Sequence, residues 1–326
     1  MAEPDVETLL VGARAGRVRD LARLLSLVEA DAPAVRDLLA GLGPLPDGPG
    51  AGPAVVVGIT GAPGVGKSTT TAALVGALRA GGRRVAVLAV DPSSPFSGGA
   101  LLGDRVRMAE HSTDPGVFIR SMAARGHLGG LAATTPKAIA LLEAVGFDVV
   151  LVETVAVGQS EVEIASAADT TVVVLAPGMG DSIQAAKAGV LEVADILVVN
   201  KSDLPGAAAT TRDLRAAVAM RAPAGRGPAQ WLPPIVRLVA ASGEAVADLV
   251  TAIDQHQEWL RSSGALAARR RQRVVEEIRA ECVAKVLAAL SPEVLDRAAQ
   301  QVVGGRIDAR TAAARLVADM AVGPRD

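Results

Sequence analysis

From residue 54 onward the chain alternates short apolar segments with longer amphipathic ones. The short segments are rich in Val and Ile and apolar at successive positions, which is typical of strands buried on both faces of a parallel sheet. These predicted strands are Val55–Ile59, Val85–Val90, Val149–Val152, Thr171–Leu175, Ile196–Val199 and Ile235–Leu238. Helices are predicted between them at 68–80, 133–145, 181–194 and 207–220. The pattern predicts a doubly wound α/β domain with a mainly parallel sheet over residues 54–262.

Segments with helical periodicity alone flank this domain. Before it, apolar residues recur at helical spacing at Leu21, Leu24, Leu25 and Val28. A linker rich in Gly and Pro follows at 41–53. After it, residues 264–290 have the pattern of one long helix with two apolar faces, and Ser291-Pro292 has the residues of a helix start. We therefore expect an N-terminal helical extension over 1–45 and a C-terminal helical arm over 263–326.

Composition narrows the functional classes. The 326 residues are 50% hydrophobic and 21% charged, with a net charge of −2 and a single cysteine, Cys282. These values argue against a disordered chain, a disulfide scaffold and a nucleic-acid-binding protein. The apolar runs are far shorter than the roughly 20 residues that span a membrane. The acidic N-terminus has no apolar signal segment, so we expect a cytoplasmic protein without a membrane partner.

Residues 61–68 match the phosphate-loop pattern G-x-x-x-x-G-K-[ST], and they lie between a predicted buried strand and a predicted helix. The glycines let backbone N–H groups turn toward phosphate oxygens, and the helix start adds partial positive charge. Lys67 can bridge the β- and γ-phosphates, and Ser68 can offer its hydroxyl to Mg²⁺. The predicted nucleotide contacts here are Gly61, Ala62, Pro63, Gly64, Val65, Gly66, Lys67, Ser68 and Thr69.

A second motif, Asn200-Lys201-Ser202-Asp203, follows the predicted strand Ile196–Val199 and indicates which base is bound. The Asp203 carboxylate can accept hydrogen bonds from N1–H and the exocyclic amino group of guanine. Adenine lacks these donors and would leave the carboxylate unpaired, at a cost of about 1–3 kcal/mol. The predicted base contacts Asn200, Lys201 and Asp203 therefore favour GTP or GDP as the ligand.

Three acidic residues follow strands or lie in loops and could surround a Mg²⁺–phosphate group. Glu153 comes directly after Val149–Val152, and Asp91 comes directly after Val85–Val90. Asp104 lies in the predicted loop that follows Asp91. Carboxylates at these positions of a phosphate-loop protein reach Mg²⁺ directly or through water. We predict Ser68, Asp91, Asp104 and Glu153 as the metal set. Lys67 joins the three acids as the predicted catalytic set.

Six sequence blocks occur in a characteristic order: GITGAPGVGKST, AVLAVDPSSPFSGGALLGDRVRM, FIRSMAARGHLGGLAATT, GFDVVLVETVAVGQSE, PGMGDSIQAAKAG and NKSD. Together they resemble the MeaB/ArgK family of GTPases, which includes relatives of the methylmalonic aciduria type A protein. The resemblance covers about residues 5–290.

The resemblance implies a GTP-hydrolysing chaperone of an adenosylcobalamin-dependent acyl-CoA mutase, most often methylmalonyl-CoA mutase. The chaperone would gate cofactor loading and protect the mutase. Segments 92–108, 153–162 and 177–189 would be nucleotide-sensitive switches, with Lys187 in the third. The C-terminal helices would form a homodimer arm.

Two positions depart from the family pattern. Ala156 stands where the family usually has a glycine, and Val239-Ala240 replaces a usual Ser-Ala pair that contacts the base. Backbone N–H groups of Val239, Ala240 and Ala241 remain as predicted base contacts. Turnover and affinity are the properties that these departures would alter.

Two other functions of the same fold class stay open at this stage. A nickel metallochaperone GTPase would need Cys and His ligands, whereas this chain has one Cys and three scattered His residues, His111, His127 and His256. A kinase of a small molecule or protein would favour ATP, which the guanine motif argues against.

The remaining features have structural interpretations. Arg269–Arg271 with Arg273 is expected to form a solvated helix face, and Cys282 is expected in a helix core. The two tryptophans, Trp231 and Trp259, are too isolated to form a stacking platform for bases.

Overall fold

The computed structural model describes residues 5–42, 53–92, 109–111, 113–124, 134–154, 160–178, 190–221 and 230–322. The chain divides into two compact units, residues 1–270 and 271–326. Most of the predicted linker 41–53 lies outside the described residues.

The first unit is built on a parallel sheet with seven strands in the described part of the chain. They are β1 Val55–Thr60, β2 Val85–Pro92, β3 Val117–Ala124, β4 Val149–Thr154, β5 Thr170–Leu175, β6 Ile196–Val199 and β7 Ile235–Arg237. Their order is β3-β2-β4-β1-β5-β6-β7, and each neighbouring pair is parallel. This confirms the predicted doubly wound α/β fold.

The helices are placed between and around the strands. In the first unit they are α1 Val6–Arg14, α2 Val18–Glu29, α3 Pro33–Gly41, α4 Lys67–Ala80, α5 Thr135–Val145, α6 Ser160–Ala167, α7 Val190–Val193, α8 Ala207–Arg221 and α9 Val246–Ser262. A short 3₁₀ helix spans Ala109–His111. Helix α10, Ala265–Ala289, begins in the first unit and ends in the second, which also holds α11 Pro292–Val303 and α12 Ala309–Val322. Residues 181–189 of one predicted helix lie outside the described residues.

The edge strand β3 was not predicted, because its middle is polar. Arg120 and Ser121 interrupt the apolar pattern that marks the other strands. An edge strand pairs on one side only, and β3 pairs with β2 from Val117 to Ala124. The Arg120 guanidinium donates to both Glu29 carboxylate oxygens of α2, at 3.1 and 2.7 Å. Arg120, which interrupts the apolar pattern of the strand, therefore connects β3 to the N-terminal helices.

Alternate residues of the strands pack into two separate apolar cores, one on each face of the sheet. Val56 packs with the core formed by α1, α2, α3 and α5, whereas Val57 packs with the core formed by α4 and α9. A third cluster packs α7 and α8 against strands β5 and β6. Burial on both faces explains why these strands are continuously apolar. The predicted stripe Leu21, Leu24, Leu25 and Val28 of α2 is buried in the first layer.

The second unit is helical in its described part. Ser291 accepts a hydrogen bond from the Val294 backbone N–H, and Pro292 is the first residue of α11, as the sequence predicted. None of the residues of α10 is fully buried. Cys282 is exposed, so the expectation that it lies in a core is wrong for the chain by itself. No helix in the described ranges combines the length and the apolar character needed to cross a membrane.

Candidate nucleotide-binding site

The phosphate loop leaves the carboxyl end of β1, the central strand of the sheet. The neighbours of β1 are β4 on one side and β5 on the other, and the chain passes from one half of the sheet to the other at this point. In open parallel sheets, such a switch point forms a crevice beyond the carboxyl ends of the strands, where ligands bind.

Two glycines of the loop have no sterically acceptable replacement. Gly66 has φ of 94°, and a Cβ there would lie 2.3 Å from Nδ2 of Asn200. Gly61 has φ of 144°, and a Cβ there would lie 2.1 Å from the carbonyl oxygen of Val174. Both positions therefore need glycine for the left-handed backbone and for space. Helix α4 starts directly after Gly66, at Lys67.

Lys67 lies over the loop that precedes it. Its ammonium donates to the carbonyl oxygens of Gly61 at 2.8 Å and Ala62 at 3.1 Å. The charge is thus held on the inner side of the loop, where the phosphates of a nucleotide would lie. Pro63, Gly64 and Thr69 are exposed, whereas Val65 is buried.

Ser68 and Glu153 meet beside the phosphate loop. The Ser68 hydroxyl donates to Oε1 of Glu153 at 2.7 Å, and both residues are buried. A hydroxyl and a carboxylate are hard oxygen donors of the kind that Mg²⁺ prefers. These two members of the predicted metal set therefore lie together and fit the ion.

The other two predicted metal ligands are Asp91 and Asp104. Asp91 lies in β2, two residues beyond Ala89, which pairs with Glu153 of the adjacent strand β4. The Asp91 side chain and all of Asp104 lie outside the described residues, as do Ala156 and Lys187. In the described ranges, no group of three or more His, Cys, Asp and Glu residues is arranged to hold a metal ion.

Asn200 joins the two halves of the site. Its Nδ2 donates to the carbonyl oxygen of Val65 at 2.8 Å, and its Oδ1 accepts from the Ala240 backbone N–H at 3.0 Å. Lys201 adds a second link, because its ammonium donates to the Gly64 carbonyl oxygen at 2.8 Å. Asn200 and Val65 are 135 residues apart in the sequence. The guanine motif and the phosphate loop thus form one connected surface.

Asp203 is exposed at this edge, next to the turn that holds Val239, Ala240 and Ala241. The turn is closed by a bridge between Val239 and Glu244, and the Ser202 backbone N–H donates to the Leu238 carbonyl oxygen at 3.1 Å. In this structure the Ala240 N–H is directed to Asn200. The sequence had suggested it as a guanine contact.

A sequence model of the family described as "Methylmalonyl Co-A mutase-associated GTPase MeaB" matches residues 21–294. The chain belongs to the MeaB family. This confirms the resemblance that the six sequence blocks indicated. The family is one of GTPases associated with a mutase, and the site described above lies within the matched region.

Individual proteins agree with this assignment. A protein of Pyrococcus abyssi is 48% identical over 274 residues, which are 84% of this chain and 83% of that protein. The mouse mitochondrial methylmalonic aciduria type A homolog is 41% identical over 218 residues, which are 66% of this chain and 52% of that protein. Among solved structures, one titled LAO/AO transport system kinase superposes with a TM-score of 0.71 and 28% identity, covering 97% of this chain and 98% of that one.

Proposed function

We propose that this MeaB-family chain binds GTP and GDP with Mg²⁺, hydrolyses GTP, and acts as a chaperone of an adenosylcobalamin-dependent acyl-CoA mutase. Methylmalonyl-CoA mutase is the expected partner, and the chaperone gates its cofactor loading and protects it. The observation that carries the nucleotide part is the double contact of Asn200. Because Asn200 bonds both the phosphate loop and the base turn, the residues for phosphate and base are already held in register.

Each described residue has a defined task in this proposal. Asp203 accepts from the two guanine donors, and Lys201 links the base motif to the phosphate loop through its contact with the Gly64 carbonyl oxygen. The Lys67 ammonium exchanges its contacts with the loop carbonyl oxygens for contacts with the phosphates. Ser68 and Glu153 hold Mg²⁺. The ion, when bound, neutralises charge on the β- and γ-phosphates.

Hydrolysis by the isolated chain should be slow. Phosphoryl transfer depends on positioning and on stabilisation of charge, both of which a partner can supply. The sequence offers no evident water-activating base or built-in arginine finger in segment 153–162, and residues 155–159 lie outside the described residues. We therefore infer that mutase binding accelerates hydrolysis.

A homodimer is part of the proposal. In α10, Val274, Ile278, Val283 and Leu287 are each more than half exposed. Within the second unit, a groove of about 540 Å³ is lined by apolar residues, among them Leu290, Val294, Leu316 and Met320, and by the polar residues Arg297, Gln301, Arg315 and Asp319. Apolar faces of this kind are typical of surfaces that a second chain covers.

The proposal is tested by calorimetry followed by hydrolysis assays. Wild type should bind GTP and GDP far more tightly than ATP, and Lys67→Ala should lose tight binding without unfolding, because Lys67 contacts the loop and not the core. Asp203→Asn should exchange guanine for xanthine preference, since the amide can donate where the guanine amino group is replaced by an oxygen. Equal affinity of wild type for ATP and GTP would reject the guanine assignment.

The partner is tested with the purified mutase. GTP hydrolysis is measured with and without mutase, with Lys67→Ala as the inactive control, and mutase activity is compared with the GTP and GDP forms present. The mutase is expected to accelerate GTP hydrolysis, and its own activity is expected to differ between the GTP and GDP forms of the chaperone. A chain that binds GTP but responds to no acyl-CoA mutase would leave the GTPase assignment intact and reject the chaperone.

A further inference from the structure

Two buried aspartates directly precede neighbouring strands, at the amino ends of the strands and thus opposite to the nucleotide site. Asp169 precedes β5, and Asp195 precedes β6. Asp195 bonds the backbone of Thr171 twice: its N–H donates to the Thr171 carbonyl oxygen, and its Oδ2 accepts from the Thr171 N–H, both at 2.9 Å. Asp169 makes the same pair of bonds with Val56 of β1, at 2.8 and 3.2 Å. Each carboxylate thus fixes its strand to the adjacent one.

Successive arginines of α10 hold these two aspartates. Arg269 binds both carboxylate oxygens of Asp195, at 2.7 and 2.6 Å. Arg270 binds Asp169 at 2.9 Å. The expectation of a solvated arginine face is therefore wrong for these two residues. Asp195 also accepts, through its carbonyl oxygen, the indole N–H of Trp231 at 2.7 Å.

The strand that Asp195 begins ends at the base motif. β6 has only four residues, about 13 Å at the usual rise of a strand, and Asn200 follows immediately. It is paired on both sides, with β5 and with β7. A short strand without a bulge cannot absorb a shift along its axis, so a shift at Asp195 reaches Asn200 and Asp203.

We propose that Arg269 is a positioning residue for guanine recognition. By holding Asp195, it fixes β6 along its axis and so fixes Asn200 and Asp203 against the phosphate loop. This inference rests on the proposed function, because it requires that the chain binds guanine nucleotides. Arg270 has no such role, since the strand that follows its partner Asp169 carries none of the base motif.

The test compares Arg269→Gln with the matched control Arg270→Gln. Each variant removes one guanidinium from the carboxylate of a buried aspartate that precedes a strand. Arg269 also donates to the backbone carbonyl oxygen of Asp169, at 2.9 Å. Two quantities are measured: the dissociation rate of fluorescent GDP, and the ratio of affinities for GDP and IDP. The base of IDP lacks the exocyclic amino group that Asp203 reads, so this ratio reports on base recognition, which loss of folded protein alone does not change.

We expect Arg269→Gln to release GDP about five to ten times faster, in line with the coupling found between members of one interaction network. The preference for GDP over IDP should fall by a similar factor, and Arg269→Lys should recover part of it. Arg270→Gln should leave the preference for GDP over IDP within about twofold of that of wild type. Its GDP release rate is not part of the control, because Asp169 also bonds Val56 of β1, the strand that leads into the phosphate loop.

An unchanged ratio of GDP to IDP affinity in Arg269→Gln, or an equal change of that ratio in Arg270→Gln, would overturn the proposal. If Arg269→Gln does not fold, Arg269→Lys decides alone, because it keeps the charge and loses the two-oxygen contact. A wild type that does not bind GDP would reject the proposed function, which is a separate outcome.

Discussion

Single polar side chains connect parts of this protein that are far apart in sequence. Asn200 is the clearest example, because it needs Gly66 to lack a Cβ and needs Val65 and Ala240 to present backbone groups. His256 is a second example. Its ring is completely buried, its Nδ1 lies 2.9 Å from the Thr170 hydroxyl, and its Nε2 lies 3.4 Å from Oδ1 of Asp195.

The burial of His256 predicts a dependence of stability on pH. Loss of hydration lowers the pKa of His256 to about 4, with Asp195 acting in the opposite direction. In the unfolded chain a histidine titrates near 6.5. The contribution of neutral, buried His256 to the free energy of unfolding is therefore fully present above pH 6.5. It is lost as the pH falls toward 4, by up to about 3 kcal/mol.

Urea unfolding between pH 7.5 and 4 measures this effect. Trp231 and Trp259 report on it directly, because their ring centroids lie 4.7 and 5.7 Å from that of His256 and the chain has no other tryptophan. His256→Gln should be less stable than wild type at pH 7.5 but should lose less stability on acidification. An acid dependence identical to that of wild type would show that other groups are responsible.

Between elements, the spacing of β1 and α6 depends on one missing side chain. A Cβ at Gly58 would lie 2.6 Å from Cγ1 of Ile164. Glycine in a strand interior often marks such a close approach of another element. Gly58→Ala should therefore destabilise the first unit by about 1–3 kcal/mol, since the core has no room for the added methyl group.

A double-mutant cycle checks this explanation. Ile164→Ala alone should cost about 2–5 kcal/mol through the cavity it leaves. In the double variant the new methyl group occupies part of that cavity. The loss of unfolding free energy in the double variant should therefore be smaller than the sum of the two single losses, by about 1 kcal/mol or more. Additive costs in denaturant unfolding would mean that the two residues do not restrict each other.

In the whole molecule, the exposed apolar faces of α10 are expected to drive self-association. Leu287→Asp and Ile278→Asp should each shift the chain toward monomer, because a carboxylate would be buried unpaired in the dimer. Arg279→Asp, which introduces the same carboxylate at an exposed position of the same helix that is already polar, is the control. Sedimentation velocity over a range of concentrations measures the result, and a wild type that stays monomeric would reject the homodimer.

The fold class, the family and six of the seven strands in the described part of the chain could be predicted from the sequence. Buried parallel strands and phosphate loops are local patterns, so residues such as Val149–Val152 and Gly61–Ser68 carry their own signal. Strand β3, the arginine contacts of α10 and the tilted contact of Trp231 with Trp259, whose ring centroids lie 5.8 Å apart, became evident only in the three-dimensional structure. Arg269 and Asp195 are 74 residues apart, and Trp231 and Asp195 are 36 apart. No periodicity or spacing relates such residues, because their contacts arise when separate elements meet at one edge of the sheet.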